Sequence, residues 1–203
     1  MIATRARLRF GPTDHGVRVT ADELAEAEYA EGFRYEVIDG RLAVAPAANF
    51  PEGWLNGWLR DQLQAYARAN PAVLNMVIGP ARVFVPNRPD LTVPEPDVAA
   101  YRDFPSHLPV REVGWEDMSP VVACEVLVDG DPRKDLVRNV ELYFEVPSIL
   151  EYWVLDGRAD PDRPTLIARR RWGQRWVVRE VPFGDTYTTR TLPGLRLLID
   201  PRA

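Results

Sequence analysis

With 203 residues, 46% of them hydrophobic and 27% charged, the chain has enough material for one substantial core and falls short of a comfortable two-domain length. A net charge of −5 excludes a surface coated in basic residues for gripping nucleic acid and leaves room only for a local basic groove. The longest apolar runs are strand-length, so none could span a bilayer, and the opening MIATRARLRF lacks the apolar stretch of a signal peptide. Cys124 is the single cysteine, which permits no intrachain disulfide and makes a cytoplasmic location the expectation.

In chain order, Arg5, Arg7 and Arg9 alternate with Ala6, Leu8 and Phe10, a pattern for an edge strand or loose arm. Thr20 and Glu23 have capping-box spacing and open a predicted helix through about Ala30. FRYEVIDGRLAVAP reads as a hairpin turning on Asp39-Gly40. From Pro51 to about Ala69, apolar residues recur at Trp54, Leu55, Trp58, Leu59, Leu63 and Tyr66, a helical stripe with a proline where the first turn tolerates one. Strands are predicted at 73–78 and 81–86, broken by Gly79-Pro80. The proline-rich PNRPDLTVPEPD leads into the short run DVAAY, and 102–119 reads as loop. VVACEVLV (121–128), a helix from about Pro132 to Glu145 and ILEYWVLD (149–156) predict a right-handed crossover between parallel strands. The remainder is β-rich, with a hairpin turning near Gly173-Gln174.

The chemistry concentrates in VVACEVLV. Such a run is expected of a strand buried on both faces, yet Glu125 stands in its middle. An ionised carboxylate there costs several kcal/mol unless a metal ion, a basic partner or an opening to water compensates. A solvated or salt-bridged strand end would also account for it. Pro96-Asp97-Val98 enters the next apolar run, and in isolation Asp97 reads as a turn residue. If the two carboxylates meet at the tips of adjacent strands, they supply hard oxygen ligands suited to Mg²⁺ or Mn²⁺. Asp97 and Glu125 are therefore expected to converge.

The ordered set RYEVIDG, PEPDV, VVACEVL, the helix D-x-x-x-N-V-E-L-Y, EYWVLD and the terminal LPGLRLLID resembles the Uma-two family of the PD-(D/E)XK, restriction-endonuclease-like group. The match runs from about Val19 to Ile199. It implies one domain over 1–203 with a core at about 19–199: a mixed β-sheet flanked by helices, an added N-terminal hairpin and C-terminal β segments. It also implies a divalent-metal phosphodiesterase site with Glu36, Asp97, Glu125 and the backbone carbonyl of Val126 as metal ligands, DNA as the partner, and a twofold homodimer. The amphipathic β segments, which leave sheet edges to protect, agree with the dimer.

Three positions depart from the family pattern. The helix lysine that the family places four residues after an aspartate falls on Asn139, a neutral side chain. A serine three residues after the glutamate is Val128, and a histidine early in the long helix falls at about Gly53. Asp135 and Asn139 share a helical face, with Arg138 beside it and Lys134 one turn before Arg138. Either cation is long enough to reach a phosphate, although arginine could replace only the electrostatic role. Lys134 is the only lysine among 25 basic residues, so arginine clusters reflect codon bias before they reflect phosphate binding. In ARRRWGQRWVVRE, Arg169 and Arg171 fall on one strand face, with Arg175 and Arg179 on the partner strand, interleaved with Trp172 and Trp176. They form either a solvated hairpin face or a nucleic-acid track. Three readings thus stand: a Mg²⁺- or Mn²⁺-dependent DNA endonuclease of weakened activity, acting through Asp97, Glu125, Asn139, Arg138 and Lys134; an inactive nuclease fold that binds nucleic acid or protein; and an unrelated α/β structural protein, in which Asp97 and Glu125 would lie far apart. His15 and His107 lack ligand spacing for zinc.

Overall fold

The computed structural model describes residues 8–203; Arg5, Ala6 and Arg7 of the alternating opening lie outside them. β1 (Arg9–Phe10) pairs in parallel with β2 (Glu28–Tyr29), and between them lies α1 (Ala21–Glu26). The capping box forms as expected: Thr20 Oγ1 accepts the Glu23 N–H and Glu23 returns a carboxylate to the Thr20 N–H. The helix ends at Glu26 rather than Ala30, because the backbone turns extended at Ala27 to place Glu28 and Tyr29 beside β1. β3 (Phe33–Ile38) and β4 (Arg41–Pro46) form the hairpin on Asp39 and Gly40, whose φ angles of 49° and 72° are those a tight turn needs.

α2 (Phe50–Ala69) is capped by Asn49 and buries Leu55, Leu59 and Leu63. It packs on one face of the central sheet, which runs β10-β9-β8-β7-β6-β5. The strands are β5 (Met76–Ile78), β6 (Val98–Tyr101), β7 (Val122–Leu127), β8 (Glu151–Asp156), β9 (Thr165–Trp172) and β10 (Arg175–Val181). Every pair is antiparallel except β7–β8, the parallel pair that the strand–helix–strand order predicts. The connection between them carries a π-helical turn (Lys134–Arg138) and α3 (Asn139–Glu145), which pack on the other sheet face through Leu142 and Tyr143. Near the C-terminus, β11 (Thr186–Tyr187) pairs with β12 (Leu197–Leu198), closing the core on the α2 side. This is the mixed α/β sheet expected, with the N-terminal hairpin and C-terminal β segments in place.

Three elements differ from the sequence reading. Residues 81–86 form no ladder strand: Val83 and Val85 instead donate to the carbonyls of Pro94 and Thr92, so the segment folds back on its own proline-rich loop. The strand expected at 73–78 shortens to β5, because Asn70 carbonyl contacts hold Val73 and Leu74 in a turn after α2. The helix expected from Pro132 opens with π geometry, the Asn139 N–H reaching back to the Lys134 carbonyl. Gly79 is required for a local reason: any Cβ there would collide with the Asp97 carbonyl oxygen at the approach to β6.

Candidate active site

β6 and β7 pair antiparallel with Val98 opposite Cys124, so one step outward Asp97 faces Glu125. Both side chains are almost fully buried, each about 1% exposed, and both line one cavity of about 480 Å³. The cavity is bounded by the end of β4, the first turn of α2, the 129–131 loop and the π-helical turn. The two carboxylates converge as expected.

Each is held by specific donors. Asp97 Oδ2 accepts the Val126 N–H at 2.7 Å, and Oδ1 is engaged by the Arg34 guanidinium. Arg34 also lies 3.7 Å from Glu52 at the start of α2. Glu125 Oε1 accepts from Asn139 Nδ2 at 2.8 Å and from the Tyr143 hydroxyl at 3.0 Å. Asn139 Nδ2 also reaches Asp135 Oδ1 at 3.2 Å. On β7 the Leu127 carbonyl accepts the Gly157 N–H on the β8 side, so strand alternation turns the Val126 carbonyl the other way, toward Asp97.

Glu36 stands apart from this pair. It lines an adjoining recess, where Arg138 donates to Oε2 at 2.7 Å, Lys134 lies 3.4 Å from Oε1, and the Glu95 N–H donates to Oε1 at 3.2 Å. Arg138 is therefore committed to Glu36, and its Nε donates to Asn139 Oδ1 at 3.0 Å. Lys134 and Arg34 line both spaces, and Arg34 is engaged by Asp97.

The electrostatics follow from crowding. Six carboxylates line the cavity, Glu52, Asp97, Glu125, Asp129, Asp131 and Asp135, against two cations, Arg34 and Lys134, a formal surplus of four negative charges. Burial, together with Asp135 and Asp97, pushes Glu125 well above its ordinary 4.5 despite Lys134. Burial likewise pushes Asp135 up to about 6, reinforced by Asp97 and Glu36 and opposed by Lys134. Burial would raise Glu36 too, but Lys134 and Arg138 together outweigh it and hold the carboxyl below its usual range. For Lys134, burial is outweighed by Glu125, Glu36 and Asp135, which keep the ammonium charged.

Among the described residues no group of three or more His, Cys, Asp or Glu side chains forms a metal cluster. The donors that do converge are two carboxylates and a backbone carbonyl. They are all hard oxygens, and Mg²⁺ is commonly held by one or two carboxylates with the rest of its shell water. Their chemistry and the charge surplus fit a divalent cation, with Arg34 its competitor at Asp97.

Sequence reading missed Arg34 and Tyr143. Arg34 shares the face of Glu36 by strand alternation, and Tyr143 follows Asn139 by four residues, so both spacings were visible without a partner to give them meaning.

The fold is similar to the crystal structure of "a putative nuclease belonging to DUF820" from Anabaena variabilis ATCC 29413, with 16% identity over 89% of this chain and 95% of that chain and a TM-score of 0.62. No match is found among curated proteins. The family model Uma2, described as "Putative restriction endonuclease", matches residues 21–200. With the family model matching nearly the whole chain, the chain belongs to the Uma2 family.

Proposed function

We propose that this protein is a divalent-metal-dependent nuclease acting on DNA phosphodiesters, working as one domain, with Asp97, Glu125 and the Val126 carbonyl holding Mg²⁺ or Mn²⁺. The observation that carries the reading is the convergence of these hard oxygens in a cavity with surplus negative charge. Such a cavity repels a phosphodiester unless a cation accompanies it. A bound ion would supply Lewis acidity, polarising a phosphoryl oxygen and lowering the pKa of an attacking water.

The chain's own residues prepare that chemistry. Asn139 and Tyr143 fix Glu125 through one oxygen, which aims the other into the cavity. The Val126 N–H orients Asp97. Lys134 supplies the fixed positive charge that Asn139 cannot, held in place by Glu36 and facing the cavity. Glu36 thereby acts through Lys134 and Arg138 in our reading, at one remove from the ion. We also propose a homodimer in the cytoplasm, the free edge of β10 offering a surface for a second copy. No helix among the described residues is long and apolar enough to cross a membrane.

The second reading, an inactive nuclease fold that binds nucleic acid or protein, is favoured by two contacts: Arg34 on Asp97, and the neutral Asn139 at the family's lysine position. Plasmid nicking and cleavage of single-stranded DNA with Mg²⁺ and with Mn²⁺, run beside Glu125→Ala, separate the two. Cleavage lost in Glu125→Ala supports the nuclease. No cleavage with either ion, in a protein whose calorimetry shows Glu125-dependent Mn²⁺ binding, supports the inactive fold.

A further inference from the structure

Away from the acidic cavity, on the opposite face of the sheet from α3, β9 and β10 present a groove of about 610 Å³. Register decides its lining. Val177 lies opposite Arg170 and Arg179 opposite Ala168, so Arg170, Trp172 and Arg179 all project to the α2 side. The segment after β11 closes it with Thr188, Thr189 and Arg190, and no acidic residue lines it.

The three guanidinium groups differ from those that hold the acidic cavity and its surroundings. Arg34, Arg82, Arg88 and Arg138 each pair with a carboxylate, whereas Arg170, Arg179 and Arg190 form no ion pair among the described residues. Two of them rest on aromatic rings instead, Arg170 5.4 Å from the Trp172 centroid and Arg179 5.9 Å from that of Tyr187. Stacking fixes a guanidinium plane while leaving its N–H donors free for an anion. Trp172 is itself 56% exposed and shares the groove with three cations.

The groove is also braced from below. Glu151, fully buried at the start of β8, accepts from Trp153 Nε1 at 2.7 Å, from the Tyr187 hydroxyl at 3.0 Å and from the Thr189 hydroxyl. These bonds turn the Glu151 carboxylate inward and tie the segment that carries Arg190 to the sheet. By contrast Arg169 and Arg171, on the other face, serve structure: Arg171 donates to the carbonyls of Tyr143 and Phe144 at the end of α3 and of Val146 and Ile149 just after it, and Arg169 covers the Tyr152 ring.

We infer that this groove binds a single nucleic-acid strand, its phosphates on Arg170, Arg179 and Arg190 and a base stacked on Trp172. The inference rests on the nuclease reading only for the class of ligand. Glu125 points to α3 and the groove opens to the other side, so it is a second site that holds substrate and performs no chemistry. Unpaired arginines interleaved with an exposed aromatic match what a backbone-tracking, sequence-tolerant strand site requires. The chain's net charge of −5 means that such binding must come from a local patch.

The test is fluorescence anisotropy of a labelled oligothymidine of about twelve nucleotides, in EDTA, across a series of salt concentrations. Replacing Arg170, Arg179 and Arg190 together with alanine should cost at least about tenfold in affinity and flatten the log–log salt slope by about two, at roughly 0.7 per phosphate contact for a single strand. The triple lysine variant should keep the slope, which guards against a folding defect, and Trp172→Ala should weaken binding about tenfold. Unchanged affinity and slope in the triple alanine variant, or no binding by wild type, would overturn the groove. So would competition by millimolar inorganic phosphate as strong as that by unlabelled oligonucleotide, which would make it a small-anion site. None of these outcomes touches the nicking assay, so the nuclease reading stands or falls separately.

Discussion

Replacing Glu125 with glutamine should make the metal-free protein more stable, and increasingly so as pH rises. Glutamine keeps the shape and the oxygen that accepts from Asn139 and Tyr143, and removes only the charge. Burial holds the Glu125 carboxyl well above its ordinary 4.5, so the folded chain keeps a proton that the unfolded chain releases. Below the unfolded value both states are protonated and the carboxyl contributes no difference. Above it, stability falls by about 1.4 kcal/mol per pH unit until the folded carboxyl also ionises. For a protein of this size each kcal/mol moves the melting temperature by about 2–4 °C, so the two melting curves should separate by about 3–6 °C per pH unit over that window. Thermal melts in EDTA from pH 4 to 8 measure this directly. A variant that melts below wild type across the range would show that Lys134 more than compensates the buried charge, and the carboxylate would then be a structural ion pair. Adding Mn²⁺ at a hundred times its Kd should stabilise wild type by about 2.7 kcal/mol and leave Glu125→Gln unmoved.

Asn139→Lys would put an ammonium between Glu125 and Asp135, and metal-dependent nicking should rise by up to about a hundred- to a thousandfold if the missing cation limits the rate. If Lys134 already supplies that charge, Lys134→Ala should abolish wild-type nicking and Asn139→Lys should add little. Arg171→Ala removes donors to four carbonyls at the end of α3 and should lower stability by about 1–3 kcal/mol in denaturant titrations, with DNA binding unchanged. Light scattering at micromolar concentration should report a dimer, and a monomer would remove the β10-edge assembly.

Local chemistry made much of the fold legible in the sequence. The Thr20–Glu23 capping box, the Asp39-Gly40 turn, the stripe on α2 and the apolar run around Glu125 depend on residues a few positions apart, where spacing alone decides geometry. The Glu125 charge in its apolar run was legible for the same reason, because its cost does not depend on where the rest of the chain goes. Long-range pairing decided the remainder. Arg34 meets Asp97 across 63 residues and Arg138 meets Glu36 across 102, so neither contact is written in any local pattern. The π-helical turn shifts the phase of the helix by a residue, which commits Arg138 to Glu36 and leaves Lys134 facing the cavity. Residues 81–86 had the composition of a strand and found their partners in a loop, since composition cannot say which edge is free. The arginines of the last hairpin were visible as a cluster. Only the register of β9 against β10 sorted them, sending Arg171 under α3 and Arg170 and Arg179 into an open groove, because a shift of one residue exchanges the faces of a sheet.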